Sequence, residues 1–282
     1  MTVRLDNSAR RTASDFDGDG KSDIAVFRPS TGSWYETQSS NGSFVGYPFG
    51  ASGDTIVPGD YDGDGKTDYA VFRQGVWYLQ RTTGGFYALG FGATGDLPVQ
   101  GDFDGDGKTD IAVFRPSDGN WYIQQSTAGY TGVHFGISTD RPVPADYDGD
   151  GKTDVGVYRD GFWYLNQSTA GYTGQAFGLA SDKVVPADYD GDGKADIAVY
   201  RPSAGDWYIL QSSNSSFVGT HFGVSTDTPA PGDFDGDGKA DISVFRPSEG
   251  NWYQLQTTSG YYGVHFGISE DKPVPSGYVP VQ

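Results

Sequence analysis

The sequence predicts an all-β fold, a six-bladed β-propeller of four-stranded antiparallel blades, and three observations lead to this prediction. An acidic nine-residue loop recurs six times at intervals of 42 to 45 residues. Turn-forming and strand-forming residues are abundant, with 43 Gly, 15 Pro, 19 Tyr and 17 Phe against a single Met. Each repeat contains four short strand-like segments. A four-stranded unit repeated every 40 to 50 residues is typical of a propeller, whose sheets pack against their two neighbours.

The unit at residues 96–139 shows the order of its elements. A short Pro-Val segment at 98–101 precedes the acidic loop, and the alternating run 110–115 follows it. A Pro-Ser-Asp-Gly turn leads to the run 120–125, and a Ser/Thr/Gly turn leads to 131–136. We therefore expect four strands in each blade, with the acidic loop between the first two.

The positions of the repeats predict how the ring closes. An Asp-initiated Pro/Val segment that precedes a loop also occurs six times, beginning at Asp54, Asp96, Asp140, Asp182, Asp227 and Asp271. The first loop lacks this segment, whereas the last copy has no loop after it. We predict that the C-terminal segment pairs with the first blade and closes the ring, which removes an exposed sheet edge. The alternative is that residues 11–14 supply this strand. We assign residues 1–14 to an N-terminal extension and residues 15–282 to one propeller.

The acidic loop reads Asp-[Phe/Tyr]-Asp-Gly-Asp-Gly-Lys-x-Asp and has the composition of a calcium site. Ca²⁺ takes six to eight oxygen ligands, and glycines allow the chain to wrap around the ion. We predict that the aspartates at positions 1, 3, 5 and 9 and the backbone carbonyl of the lysine at position 7 are ligands, for up to six Ca²⁺ ions. The predicted ligands are Asp15, Asp17, Asp19, Lys21 and Asp23; Asp60, Asp62, Asp64, Lys66 and Asp68; Asp102, Asp104, Asp106, Lys108 and Asp110; Asp146, Asp148, Asp150, Lys152 and Asp154; Asp188, Asp190, Asp192, Lys194 and Asp196; Asp233, Asp235, Asp237, Lys239 and Asp241.

Other interpretations of the loop fit less well. An EF-hand needs a glutamate at position 12 and helices on both sides, but position 12 of the third loop is Val113 in a predicted strand. Mg²⁺ demands strict octahedral geometry, and Zn²⁺ prefers His or Cys. Asp/Gly loops also form simple β-turns, but six copies with Asp at all four ligand positions favour a metal site. Clustered carboxylates repel one another without a cation, so we expect the ions to be structural.

The net charge of −18 has a local explanation in these loops. Four aspartates in each of six loops account for most of the 37 acidic residues. The charge argues against binding to nucleic acid, and no apolar run is long enough to insert into a membrane. No Cys is present, which excludes disulfides and thiolate metal sites. The N-terminus shows no signal-peptide core, and an extracellular or cell-surface location is still expected if a signal lies outside this sequence.

The repeat resembles the FG-GAP or VCBS-type repeat of the integrin α-subunit propeller and of related bacterial and fungal proteins, including a fungal propeller lectin. The matching features are the acidic loop and a Phe-Gly pair about ten residues before it, at Phe49, Phe91, Phe135, Phe177, Phe222 and Phe266. The resemblance implies calcium in the loops, an extracellular location, and adhesion or glycan recognition. This chain lacks the Gly-Ala-Pro segment and the seven blades of integrins, so integrin ligand specificity is not implied.

A Trp-Tyr pair and an Arg recur in every repeat, and two interpretations of them remain open. They are either core residues or part of repeated sugar sites, in which an aromatic ring stacks on the sugar and an arginine binds its hydroxyls. The candidate ligand-binding residues are Arg28, Trp34, Arg115, Trp121, Arg201, Trp207, Arg246 and Trp252. Blades two and four have a shorter turn between Arg and Trp, so fewer than six sites would be active.

We expect a binding or adhesion module rather than an enzyme, with glycans or a cell-surface protein as the partner and no catalytic residues. His134, His221 and His265 lie in separate repeats without a recurring nucleophile. Two alternatives are a repeat scaffold with no ligand beyond calcium and a calcium-dependent polysaccharide-active enzyme.

Overall fold

Six four-stranded antiparallel sheets form a ring in the computed structural model, which describes residues 13–277. The predicted fold class is therefore confirmed. Within these residues, no helix is long and apolar enough to cross a membrane. The helical segment that is present is one turn of 3-10 helix, Val274–Gly277, near the end of the described chain.

Every blade has the same strand order, and the four positions differ in length. The first strands are β24 (Lys272–Pro273) in blade 1, then β4 (Thr55–Ile56), β8 (Leu97–Gly101), β12 (Arg141–Pro142), β16 (Lys183–Val184) and β20 (Thr228–Pro229). The second strands are β1 (Ile24–Arg28), β5 (Tyr69–Arg73), β9 (Asp110–Arg115), β13 (Val155–Arg159), β17 (Ile197–Arg201) and β21 (Ile242–Arg246). The third strands are β2 (Ser33–Thr37), β6 (Val76–Arg81), β10 (Asn120–Gln125), β14 (Phe162–Gln167), β18 (Asp206–Leu210) and β22 (Asn251–Gln256). The fourth strands are β3 (Phe44–Pro48), β7 (Gly85–Gly90), β11 (Gly129–His134), β15 (Gly171–Ala176), β19 (Phe217–His221) and β23 (Gly260–His265).

Burial follows the position of each strand in the blade. The second strands are apolar on both faces, as in the Ile-Ala-Val-Phe sequence of β1, because both faces pack against neighbouring blades. The third strands alternate between buried and half-buried residues, and the fourth strands are largely exposed. The alternation of more and less buried residues that is expected for half-buried strands therefore appears in the third and fourth strands, which form the outer half of each blade.

The six tryptophans fill the core, one in each blade. All are at most 1% exposed, and each indole Nε1–H donates to the carbonyl of the phenylalanine in the Phe-Gly pair at 2.7 to 3.0 Å. Truncation of such a tryptophan to alanine costs about 3 to 5 kcal/mol. The glycine of the pair is required because the backbone turns sharply there. Gly50 has φ of 140°, and a Cβ at this position would lie 2.9 Å from the Phe27 ring.

The C-terminal strand closes the ring, as predicted. Strand β24 pairs with β1 through Val26 and Pro273, and Val274 is fully buried in the core of the first blade. The alternative segment, residues 11–14, lies partly outside the described residues. Ser14 forms two hydrogen bonds with Asp23: its carbonyl accepts from the Asp23 N–H at 2.8 Å, and its hydroxyl donates to the Asp23 carbonyl at 3.2 Å. The structure thus places Ser14, which the sequence analysis assigned to the extension, in the first blade.

Candidate metal centres and interblade clefts

The position-1 aspartate shapes each acidic loop, as the second loop illustrates. Asp60 accepts hydrogen bonds from the Gly63 N–H at 2.6 Å and from the Gly65 N–H at 3.0 Å. The two glycines have φ of 79° and 86°, a region that glycine occupies without strain. The side chain therefore wraps the loop around itself, and the same bonds recur in the other five loops.

The turn between the third and fourth strands also holds the acidic loop in place, through hydrogen bonds to the loop aspartates. In blade 2, the Thr82 and Thr83 hydroxyls each donate to Asp64 at 2.6 Å, and the Thr82 N–H donates to buried Asp68 at 2.7 Å. The Gly84 N–H donates to Asp62 at 2.7 Å. Sequence analysis missed these partners. The sequence feature that indicates them is a pair of adjacent hydroxyl residues in every repeat. The pairs are Ser39 and Ser40, Thr82 and Thr83, Ser126 and Thr127, Ser168 and Thr169, Ser212 and Ser213, and Thr257 and Thr258.

Three of the four predicted aspartates of a loop come together as an oxygen-rich cluster, which leaves out position 5 in loops 2 to 4 and position 9 in loops 1 and 5. In five of the loops, the three aspartates offer carboxylate oxygens that lie within 4.8 Å of one another. These groups are Asp15, Asp17 and Asp19; Asp60, Asp62 and Asp68; Asp102, Asp104 and Asp110; Asp146, Asp148 and Asp154; Asp188, Asp190 and Asp192. The lysine at position 7 donates its N–H to the position-5 carboxylate, as Lys66 does to Asp64 at 3.0 Å. The lysine carbonyls remain predicted ligands.

One carboxylate oxygen in several loops has the environment expected of a metal ligand. The Oδ1 atoms of Asp62, Asp148 and Asp235, all at position 3, are buried and have no hydrogen-bond partner among the described residues. Buried polar atoms in proteins are nearly always paired, so an unpaired buried oxygen within an acidic cluster fits direct coordination of a cation. The donor set consists of oxygens alone, which suits a hard divalent ion.

The position-9 carboxylates lie where burial and neighbouring aspartates disfavour their charged form. Burial, together with repulsion by Asp62 and Asp60, raises the pKa of Asp68 to about 7 although two backbone N–H groups bind it. The same causes raise the pKa of the equivalent residues to about 6, at Asp23, Asp110, Asp154, Asp196 and Asp241. A divalent ion among these oxygens would relieve the repulsion.

The six loops are also joined to one another around the ring. The Thr67 N–H, at position 8 of the second loop, donates to the carbonyl of Asp15, at position 1 of the first, at 2.6 Å. Equivalent bonds link every loop to the next, and the Ser22 N–H closes the circle on the Asp233 carbonyl at 2.7 Å. The lysine stems add to this ring, because Lys66 packs 3.1 Å from where a Cβ on Gly18 would lie. The acidic loops therefore form contacts between blades as well as within them.

The recurring arginines have structural partners that sequence analysis did not identify. Each forms a two-bond ion pair with the buried aspartate that begins a Pro/Val segment, and each guanidinium lies 4.4 to 5.1 Å from the ring of the tyrosine after the tryptophan. The pairs are Arg28 and Asp271, Arg73 and Asp54, Arg115 and Asp96, Arg159 and Asp140, Arg201 and Asp182, and Arg246 and Asp227.

The ligand-binding hypothesis for the tryptophans does not fit their positions. Trp34, Trp121, Trp207 and Trp252 have no exposed ring face on which a sugar could stack. The four arginines named with them lie over the rings of the tyrosines that follow the tryptophans, Tyr35, Tyr122, Tyr208 and Tyr253.

An exposed aromatic residue on each fourth strand faces the phenylalanine of the Phe-Gly pair in the preceding blade. These rings are 62 to 66% exposed, and their centroids lie 6.2 to 6.4 Å from the phenylalanine. We call them the platform residues: Phe44, Phe86, Tyr130, Tyr172, Phe217 and Tyr261. Sequence analysis missed them, although an aromatic at this position in every repeat was a signal.

The cleft between blades 5 and 6 shows the arrangement around a platform residue. It has a volume of about 250 Å³ and is lined by Phe222, Gly223, Val244, Arg246, Tyr253 and Tyr261. Gly263 lies opposite Tyr253 in the strand register, and the Tyr261 hydroxyl lies 3.1 Å from where a Cβ on Gly263 would be, so the glycine leaves room for the Tyr261 side chain. The cleft therefore combines aromatic faces with a guanidinium and a phenol.

Fold and site together define a six-bladed repeat propeller with acidic loops between the first two strands of its blades. The FG-GAP-like repeat model matches residues 15–71, 102–157 and 188–244, and the FG-GAP repeat model matches residues 226–263. The chain belongs to the FG-GAP repeat family. A search of curated protein sequences finds no match.

Solved structures share the fold at low sequence identity. An Agrocybe aegerita lectin, described as recognising non-reducing terminal N-acetylglucosamine, is 15% identical with a TM-score of 0.57, over 91% of this chain and 76% of the lectin. A streptogramin B lyase is 7% identical with a TM-score of 0.60, over 93% and 85%. BBS1N in complex with ARL6DN is 13% identical with a TM-score of 0.56, over 93% and 84%. These similarities show the fold.

Proposed function

We propose that the protein is a calcium-stabilised binding module whose interblade clefts recognise glycans outside the cell, without catalysis. The observation that carries the proposal is the exposed platform residue, which recurs in all six blades and lines a cleft with an arginine and a tyrosine in blade 6. A repeated surface aromatic is not needed for the core, because the tryptophans already fill it.

The loops support calcium as the structural ion. Their donors are carboxylates in a flexible arrangement, and the unpaired Asp62 Oδ1 is one of them. Aspartates at positions 1, 3, 5 and 9 would hold the ion, which would supply positive charge where the carboxylates now repel one another. Extracellular calcium modules bind with dissociation constants of about 10⁻⁴ to 10⁻³ M, so exposed loops of this kind suit a location outside the cell.

The clefts support a glycan as the ligand. A pyranose ring has an apolar C–H face that packs on an aromatic ring and hydroxyls that bind polar groups at the ring edge. Tyr261 supplies such a ring, and Arg246 and Tyr253 supply polar edges within the same cleft. Several weak sites on one ring would gain strength from multivalent glycans. The fold similarity to the Agrocybe aegerita lectin makes terminal N-acetylglucosamine a ligand to test early.

A glycan panel with a platform variant tests the proposal. We expect the protein to bind a subset of glycans in the presence of calcium, and to lose this binding when all six platform residues are changed to serine. The matched control is Tyr262→Ser, because Tyr262 is 46% exposed on the opposite face of β23. The control should bind as the parent does. Binding to no glycan, or equal binding by the sixfold variant with the fold intact, would overturn the proposed function.

A further inference from the structure

The six clefts differ at one end, where a hydrogen-bonded histidine is present in three blades. In blade 6, His265 Nδ1 lies 3.0 Å from Asn251 Oδ1, and the Asn251 Nδ2 donates to the Tyr253 hydroxyl at 3.0 Å. The strand register places His265 opposite Asn251 and Tyr261 opposite Leu255, so these side chains face blade 5 together with Tyr253. The histidine network and the platform residue therefore share one face of the blade, and Tyr253 belongs both to the network and to the lining of the cleft.

Blades 3 and 5 carry the same network. In blade 3, His134 Nδ1 lies 2.9 Å from Asn120 Oδ1, and Asn120 contacts the Tyr122 hydroxyl at 3.3 Å. In blade 5, an aspartate replaces the asparagine, and Asp206 contacts His221 Nδ1 at 2.7 Å and the Tyr208 hydroxyl at 3.0 Å.

The other three blades carry no such network at the equivalent positions. Blade 1 has Ser33 and Pro48, blade 2 has Val76 and Gly90, and blade 4 has Phe162 and Ala176 as the cross-strand pairs. In blade 4 the Phe162 ring lies 4.7 Å from the Tyr164 ring and makes this end of the cleft apolar.

We propose that the clefts of blades 3, 5 and 6 are the ligand sites and that the His-Asn/Asp-Tyr network determines their specificity for a hydroxyl-rich ring. This inference rests on the proposed glycan-binding function. Nδ1 is occupied in each network, so Nε2 is left to face the ligand, and the His221 side chain is 74% exposed. An aromatic platform alone holds many apolar rings, whereas selection among sugars needs hydrogen-bonding groups fixed in position. Each chain therefore has three sites of this kind.

The tryptophans provide a reporter in each blade. Each indole N–H bonds to the carbonyl of the phenylalanine that forms the wall of the next cleft. The clefts of blades 3, 5 and 6 have Phe91, Phe177 and Phe222 as walls, and the indoles bound to these carbonyls are Trp77, Trp163 and Trp207. Six assigned indole signals in a ¹H–¹⁵N spectrum therefore follow the six clefts separately.

The test is a titration of the calcium-loaded protein with glucose, galactose, mannose, fucose and N-acetylglucosamine. With a sugar that binds, we expect the Trp77, Trp163 and Trp207 signals to shift and those of Trp34, Trp121 and Trp252 to remain. Asn120→Val, which installs the residue of blade 2, should abolish the Trp77 shift or weaken it about tenfold and leave the other two unchanged. Val76→Ser in blade 2 is the matched control and should change none of them.

The outcomes separate this inference from the function on which it rests. Shifts of all six indole signals, or a response of Trp77 that survives Asn120→Val in a folded protein, would overturn the three-site inference and leave glycan binding intact. No shift with any sugar, together with no binding on the glycan panel, would overturn both.

Discussion

At the scale of single residues, the aspartate at position 3 has two functions that use different oxygen atoms. In blade 2, Asp62 Oδ2 accepts hydrogen bonds from the Thr83 and Gly84 N–H groups, and Oδ1 is buried without a partner. An asparagine has only one side-chain oxygen. This oxygen could accept the hydrogen bonds from the turn or bind the ion, but not both.

We therefore predict that Asp62→Asn removes one calcium ion per chain. The melting temperature in calcium should fall by about 3 to 5 °C, since one site at tenfold excess over its dissociation constant contributes about 1.4 kcal/mol. In a chelator the variant and the parent should melt together. Calorimetry with ion counting measures both effects, and Asp160→Asn is the control, because it removes one charge at a turn residue outside the loops with φ of 49°. An unchanged ion count would contradict the assignment.

Glu36 is a second residue of interest, because it is a buried acid at a position where blades 2 to 5 have apolar side chains and blade 6 has Gln254. It is 2% exposed in the third strand of blade 1, where blade 2 has Leu79, and it accepts a hydrogen bond from the Tyr69 hydroxyl at 3.2 Å. Burial, with a contribution from the charge of Asp23, raises the pKa of Glu36 from 4.5 to about 8. The folded protein therefore favours the protonated acid.

We predict that Glu36→Leu stabilises the protein, and more at pH 8 than at pH 5. An acid whose pKa is higher in the folded state costs stability as the pH rises from about 4.5 to about 8, because the unfolded chain releases the proton first. Removing the acid removes this cost. The comparison is made by thermal unfolding in saturating calcium, with Leu79→Ile as a control for repacking. A gain that is equal at both pH values would contradict the raised pKa.

At the scale of elements, the Arg–Asp ion pair fastens the start of each first strand to the end of the second. Asp140 precedes β12, and its fully buried carboxylate binds Arg159 at the end of β13 and accepts from the Ile137 N–H at 2.8 Å. The pair thus organises both the short first strand and the turn before it.

We predict that Asp140→Ala lowers the free energy of unfolding by about 2 to 4 kcal/mol, because it leaves a partly buried guanidinium without its partner. Denaturant unfolding measures the loss. The double variant Asp140→Ala with Arg159→Met should recover part of it. A single variant as stable as the parent would show that the ion pair is dispensable.

The strands and the acidic loops could be predicted from the sequence, and their partners could not. Repetition identified the four strands, the closing segment and every loop aspartate, because these are local patterns. Asp54 and Arg73 are 19 residues apart, and their contact depends on how two strands meet in three dimensions. The tryptophans and the platform residues are both recurring aromatics, and only burial separates core from surface.

At the scale of the whole molecule, three of the contacts that close the ring come from different parts of the chain. Strand β24 pairs with β1, Asp271 binds Arg28, and the Ser22 N–H binds the Asp233 carbonyl. The first two contacts come from the C-terminal segment, and the third comes from the ring of acidic loops.

We predict that a chain ending at Glu270 melts about 10 °C or more below the full chain, because it loses a strand, a buried valine and an ion pair. A peptide of residues 271–282 added separately should restore part of the loss by pairing with the open edge. Equal melting of the two chains would contradict closure by the C-terminal strand.

The central claim is that calcium in the six acidic loops holds the blades together, and thermal unfolding with and without a chelator tests it most directly. Six sites at about 1.4 kcal/mol each correspond to a fall in melting temperature of roughly 20 °C on chelation, which added Ca²⁺ should reverse and Mg²⁺ should not. The same melting temperature with and without the chelator would contradict the claim.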